Sequence, residues 1–149
     1  MRQHTFLAGA LLVLTACGDG FLSSTRFVAS LRAARARWES RGIDSYELTV
    51  RRLCFCAFVE PVRVKVLDGV IVSRTVVSSG EPVPEVYASS YPDVPGLFAI
   101  VEQASIDADE FDTDFDPDYG YPTEISIDWI ENAVDDEVVY LAEAFAITP

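Results

Sequence analysis

Between Tyr46 and Val77 the chain alternates apolar and polar residues with the regularity of a β-meander. Tyr46, Leu48 and Val50 alternate with Glu47 and Thr49, and Val62, Val64 and Val66 alternate with Arg63 and Lys65. A period of two places each apolar set on one face of a half-buried strand. Asp68-Gly69 then reverses the chain. Two loop lengths compete at this point. A two-residue loop pairs Val66 with Ile71 and leaves Val64 opposite Ser73. A three-residue loop, Leu67-Asp68-Gly69, pairs Val66 with Val70 and Val64 with Val72, and asks no positive φ of Asp68. Four valines on one face favour the three-residue loop, because a one-residue slip would turn them to water.

The 149 residues leave room for one domain behind a leader. Residues 1–16 read as a signal peptide: Arg2 and His4 make a weakly positive head, and Phe6–Leu14 is an apolar run of nine residues. That run is too short for a membrane span, which takes about 20 residues. It ends in Leu14-Thr15-Ala16-Cys17, an aliphatic residue and two small ones before a cysteine, which resembles the bacterial lipobox. The resemblance implies cleavage before Cys17 and acyl chains, palmitate among them, on its thiol and amine. Two or more chains hold a protein firmly on a membrane where one does so only marginally. Residues 17–25 then comprise the lipidated cysteine and a linker, with Gly18–Ser24 flexible, and residues 26–149 form the domain. Gly18 in place of aspartate after Cys17 points to the outer membrane rather than the inner one.

Charge is divided unevenly. All 11 basic residues lie within residues 1–74, beside 6 acidic ones, whereas residues 75–149 hold 18 acidic residues and no basic one. A net charge of −13 argues against nucleic acid as a partner and against docking on anionic lipid by charge alone. The expected partners are the membrane, through the lipid, and an envelope protein.

The only histidine, His4, lies in the leader. A mature chain without histidine has no Ser-His-Asp or Cys-His catalysis, no histidine general base and no histidine zinc ligand. The only lysine, Lys65, falls mid-strand on the polar face. The expectation is therefore a non-enzymatic protein with no cofactor beyond the covalent lipid on Cys17.

Along the chain, Phe27, Leu31, Ala34 and Trp38 mark one face of a helix over Arg26–Arg41, with Ser24 or Thr25 as cap and Gly42 as stop. Its arginines lie mainly off that face, either solvated or paired with the acidic second half. Ser78–Tyr91 reads as loop. Asp93 then caps a second helix with Pro95 in its first turn and Val94, Leu97, Phe98 and Val101 as its apolar stripe. Strands follow at Glu110–Phe115, Thr123–Trp129 and Val138–Ile147, with turns at Pro117–Gly120 and Asn132–Asp136. The order is helix–three strands repeated twice, read as a structural duplication. It predicts an α+β fold, one antiparallel sheet of about six strands with two helices on one face.

Three constellations carry chemistry. Cys54-Phe55-Cys56 supplies the two cysteines left after lipidation, and outside the cytoplasm such a pair tends to bond. In a flat strand residues i and i+2 lie near the limit for a bridge, so bonding requires a bulge or turn at Phe55, and two reduced neighbours are the other outcome. A reducible bridge would open a thiol-redox role. Asp112, Asp114 and Asp116 have the 1, 3, 5 spacing of a calcium loop, yet Pro117 stands where glycine belongs and Thr123 where glutamate belongs. A strand with Phe111, Thr113 and Phe115 inward and aspartates outward fits the same residues. Tyr119-Gly120-Tyr121-Pro122 is either contact surface or a structural turn closing the core edge.

Taken together, the lipobox, Trp38, Tyr46, Cys54-Phe55-Cys56, the hairpin over residues 62–72, Leu97-Phe98 with Ile100, and residues 115–128 (FDPDYGYPTEISID) resemble an uncharacterised family of bacterial lipoproteins. That family is defined only as a domain of unknown function, and the resemblance spans about residues 38–146. Its Cys-Phe-Cys and Asp-Pro-x-Tyr-Gly-Tyr-Pro motifs fall on Cys54–Cys56 and Asp116–Pro122. This chain departs from it with Phe115 in place of tyrosine and Ala57 in place of proline. The resemblance implies an envelope lipoprotein and brings with it no activity, ligand or catalytic residue.

Overall fold

The computed structural model describes the backbone of residues 19–148 and the side chains of residues 25–148, so the segment expected as a leader, and Cys17, lie outside the described residues. In order the elements are α1 (Asp19–Arg41), β1 (Tyr46–Cys54), β2 (Val62–Leu67), β3 (Val70–Val76), α2 (Glu85–Ala88), α3 (Val94–Asp107), β4 (Glu110–Phe115), β5 (Pro122–Asp128) and β6 (Val138–Ile147). The six strands form one open antiparallel sheet, ordered β3-β2-β1-β6-β5-β4. The α+β expectation is met.

The alternation does what a period of two requires. Tyr46, Leu48, Val50, Val62, Val64 and Val66 are buried to 2% exposure or less and share one cluster with Leu31, Ala34 and Trp38 of α1 and Leu97, Phe98 and Val101 of α3. Both long helices thus cover the same face of the sheet. The opposite face carries Glu47 beside Lys65 at 3.1 Å and Arg51 beside Glu143 at 3.6 Å, partly exposed pairs of small energetic weight. Asp93 caps α3 as expected, its Oδ1 accepting from the Gly96 N–H at 2.9 Å.

Strand order revises the duplication. The first strand of the first unit pairs with the last strand of the second, so the order of the units repeats while their strand directions reverse. A symmetry operation of that kind would put the two helices on opposite faces. They lie on one, so the repeated element order is not a repeated structure.

Three local expectations are corrected, the first being that Ser78–Tyr91, expected as loop, holds the one-turn helix α2, a third helix beside the two expected. α1 begins at Asp19 rather than Arg26, so the segment expected as a flexible linker is helical from Asp19 onward. Once nucleated, a helix extends at little cost per residue, and nothing from Asp19 to Thr25 breaks it except the tolerable Gly20. The β2–β3 hairpin uses the two-residue loop, not the three-residue one: Leu67 pairs with Val70 and Val66 with Ile71. Asp68 and Gly69 both take positive φ, +50° and +73°, the backbone of the turn that matches strand twist. Asp68 N–H donates to Ser45 Oγ at 3.1 Å and Gly69 N–H to the Asp44 carbonyl at 2.7 Å, tying the turn to the start of β1. The register then slips at Val72, so that Lys65 faces Ser73 and Val64 faces Arg74. Valine pairing misled because β3 is an edge strand, where Val70 and Val72 stay 63% and 51% exposed.

A second irregularity aims an aromatic ring. Ala144 sits at φ +50°, where the β1–β6 register shifts between Glu47 and Thr49. The extra residue turns Phe145 to the helix side, 5.8 Å from Trp38, 5.5 Å from Tyr46 and 4.8 Å from Tyr121.

Tyr46 also joins sheet to helix, its hydroxyl accepting the Val94 N–H at 3.1 Å. Burial pushes its phenol well above the ordinary value of 10.0, against the lowering effect of that hydrogen bond. Burial, followed by Asp116 and Tyr119, pushes Tyr121 up to about 12. The unfolded chain therefore ionises these phenols first as pH rises. Their stabilisation is whole below pH 10 and is lost through the range from 10 to about 12. Urea unfolding between pH 8 and 11.5 should show stability level up to about pH 10 and then falling, towards about 1.4 kcal/mol per pH unit for each such tyrosine. Tyr46→Phe should flatten that slope while costing about 1–3 kcal/mol at neutral pH, because the Val94 N–H loses its acceptor.

Candidate functional site

β1 ends at Cys54, and the chain bends at Phe55 instead of continuing as strand. That bend brings Cys54 and Cys56 to a Cα separation of 5.3 Å, and the two are joined as a disulfide. Leu53, Phe55 and Val59 around it are 48%, 83% and 45% exposed. The loop is pinned from beneath by Phe58, which stacks on Tyr87 at 4.9 Å and meets Tyr91 edge-on at 5.8 Å. Tyr91 in turn donates to the Phe58 carbonyl at 3.5 Å.

Arg52 stands next to the bridge. The alternation that sends Tyr46, Leu48 and Val50 inward sends Arg52 to the same face at the end of the sheet. Its guanidinium lies over the rings of Tyr91 at 6.0 Å and Tyr140 at 5.6 Å, and its Nη2 donates to Cys56 Sγ at 3.6 Å. Its Nε is buried without a hydrogen-bond partner, and no carboxylate among the described residues forms an ion pair with it. Burial raises the Tyr91 phenol above its ordinary value in spite of the neighbouring guanidinium. The result is a positive charge without an ion-pair partner among the described residues, set against one sulfur of an accessible bridge.

The calcium candidates do not form a site. Asp112 and Asp114 point outward from β4, whereas Asp116 Oδ1 accepts the N–H groups of Asp118 at 2.9 Å and Tyr119 at 2.7 Å. Among the described residues no three histidine, cysteine, aspartate or glutamate side chains are placed to hold a metal ion. The outer face of β4 and β5 is nevertheless strongly acidic, with Glu110 directly opposite Asp128 and Asp114 opposite Glu124. Partial burial, then Asp136 and Glu137, raises the Asp128 carboxyl above its ordinary value. Asp109 and Asp136 are spent on the next loop, accepting the N–H groups of Glu131 at 2.7 Å and Ile130 at 2.8 Å.

The tyrosine-glycine motif is structural. Asp116 closes the turn, and Gly120 N–H donates back to the Asp116 carbonyl at 2.9 Å. Tyr121 is buried beneath Trp38, while Arg41 donates to the Asp118 carbonyl at 2.5 Å and lies 5.7 Å from the Tyr119 ring centre. This turn is where α1 fastens to the second half of the sheet. Arg35, from its own turn of the helix, fastens α1 to α3 instead, pairing with Glu102 at 2.7 Å and covering the Phe98 ring at 4.7 Å.

Residues 30–147, nearly all of the α+β unit just described, match the model of a family of unknown function. The chain belongs to the family of unknown function DUF6174. No curated protein and no solved structure matches the chain. The DUF6174 match includes both the Cys54–Cys56 loop and the Asp116–Pro122 turn. Arg52 is the residue that sequence reasoning passed over. Its signal was present, since a charge at the next inward position after Tyr46, Leu48 and Val50 breaks the alternation.

Proposed function

We propose that this DUF6174 chain is a cell-envelope lipoprotein, anchored by acyl chains on Cys17, whose folded domain binds a protein or small ligand without catalysis. The observation that carries the reading is the Cys54–Cys56 bond. It suits an oxidising compartment, and it leaves Cys17 as the one cysteine outside the pair, within a sequence that resembles a lipobox. The exposed Leu53, Phe55 and Val59 supply apolar contact area at the end of the sheet. Gly18 favours the outer membrane. Mass spectrometry of protein extracted from native membranes should find Cys17 as the first residue, carrying acyl chains, and Cys17→Ala should release the domain from the membrane fraction. An intact Met1 or an unmodified Cys17 thiol overturns the anchor.

A second reading, a thiol-redox accessory protein, is favoured by one specific contact, that of Arg52 with Cys56 Sγ.

A further inference from the structure

We infer that the Cys54–Cys56 bridge exchanges with accessible thiols through Cys56, and that the charge of Arg52 speeds the departure of Cys56 from the mixed disulfide. The inference deepens the thiol-redox reading and rests on it.

Access selects the sulfur that is attacked first, and charge favours its departure in the second step. Cys56 is exposed, whereas Cys54 is partly buried and packs against the core cluster. An incoming thiolate therefore meets Cys56 Sγ first. The bond from that thiolate to Cys56 forms, the bond to Cys54 breaks, and Cys54 leaves with the electron pair and takes up a proton from water. A second thiolate then attacks the substrate sulfur of the mixed disulfide. A substrate disulfide forms, and Cys56 leaves as a thiolate 3.6 Å from the Arg52 guanidinium. Two thiols have become one disulfide, and the two electrons they lose reduce the protein's bridge. A cation beside a sulfur lowers its thiol pKa, and a sulfur of lower pKa leaves faster.

Three features make Arg52 suited to this. An arginine remains protonated at any working pH. No carboxylate among the described residues forms an ion pair with it, Glu60 acting instead on the neighbouring Tyr91, and the Tyr91 and Tyr140 rings hold it in place. Water, too, reaches Cys56, which is itself exposed.

The test uses the full-length protein in detergent, reduced and then alkylated with iodoacetamide from pH 5 to 10, with each cysteine followed by peptide mass spectrometry. Cys56 should react with a midpoint at least one unit below the ordinary thiol value of about 8.5, and Cys54 at or above it. Arg52→Met should raise the Cys56 midpoint by about one unit, and Arg52→Lys should keep it low. In a Cys54→Ser background, reduction of a Cys56–glutathione mixed disulfide by glutathione, in which Cys56 is the leaving sulfur, should slow about threefold with Arg52→Met. The wild-type midpoints need no variant to fold, and near-UV circular dichroism checks those that are made. A Cys56 midpoint at or above that of Cys54, or one that Arg52→Met leaves unmoved, overturns the role of Arg52. A native bridge that millimolar glutathione leaves closed, whatever the midpoints, overturns the thiol-redox reading itself.

Discussion

Gly120→Ala is expected to destabilise the domain by at least about 3 kcal/mol, enough to lower its melting temperature by roughly 10 °C or more. Two effects combine at this residue. Gly120 has φ +89°, in the left-handed region that alanine enters only with strain. A Cβ there would also lie 2.3 Å from the Ala34 carbonyl oxygen and 3.0 Å from Arg37 Cβ. The first of these neighbours is helix backbone, which no rotamer change can move aside, so α1 must lift from the turn or the turn must open. Gly69→Ala separates the two effects. Gly69 has φ +73° but nothing within 4 Å of its absent Cβ, so the substitution should cost only about 1–2 kcal/mol. Urea unfolding of the two variants side by side is the measurement. Equal losses would mean that backbone conformation, not the approach of α1, is why position 120 is glycine.

The second large effect is expected from Trp38→Ala, a loss of about 3–5 kcal/mol. Trp38 is 7% exposed, and its ring meets those of Tyr46, Phe145 and Tyr121 at 5.4, 5.8 and 6.2 Å, all near edge-on. These rings come from β1, β6 and the turn before β5, so one side chain of α1 holds three separate pieces of chain. Truncation leaves a cavity whose walls are ordered strands and cannot collapse inward. Trp38→Phe should retain part of the edge-on contact and lose only about 1–2 kcal/mol. The circular dichroism of α1 should melt together with the sheet in both variants. A loss below about 1 kcal/mol for Trp38→Ala would show that Arg35, Arg41 and Leu31 suffice to hold the helix.

Several elements were legible because a strong local pattern and the tertiary demand agreed. Val62, Val64 and Val66 on β2 were bound to face inward, and Asp93 was bound to cap α3, because neither depends on a distant neighbour. The bounds of β4 and β6 were readable for the same reason. The hairpin at Asp68-Gly69 was misread because its answer depended on β3 being at the edge of the sheet and on Ser45 and Asp44 reaching the turn. The Asp112–Asp116 spacing suggested a cation loop, but spacing cannot show that the Asp116 carboxylate is spent on its own turn.

By itself the sequence determined the class of fold, the faces of its strands, and the absence of histidine from every position after His4. Those depend on periodicity and composition, which are properties of neighbours in the chain. Only the tertiary structure decided that β1 pairs with β6, that Gly120 lies against α1, and that Arg52 reaches the Cys56 sulfur. Each of these joins residues from different elements, or across a bend in the chain. Contacts of that kind are settled by how faces pack and not by the order in which residues occur.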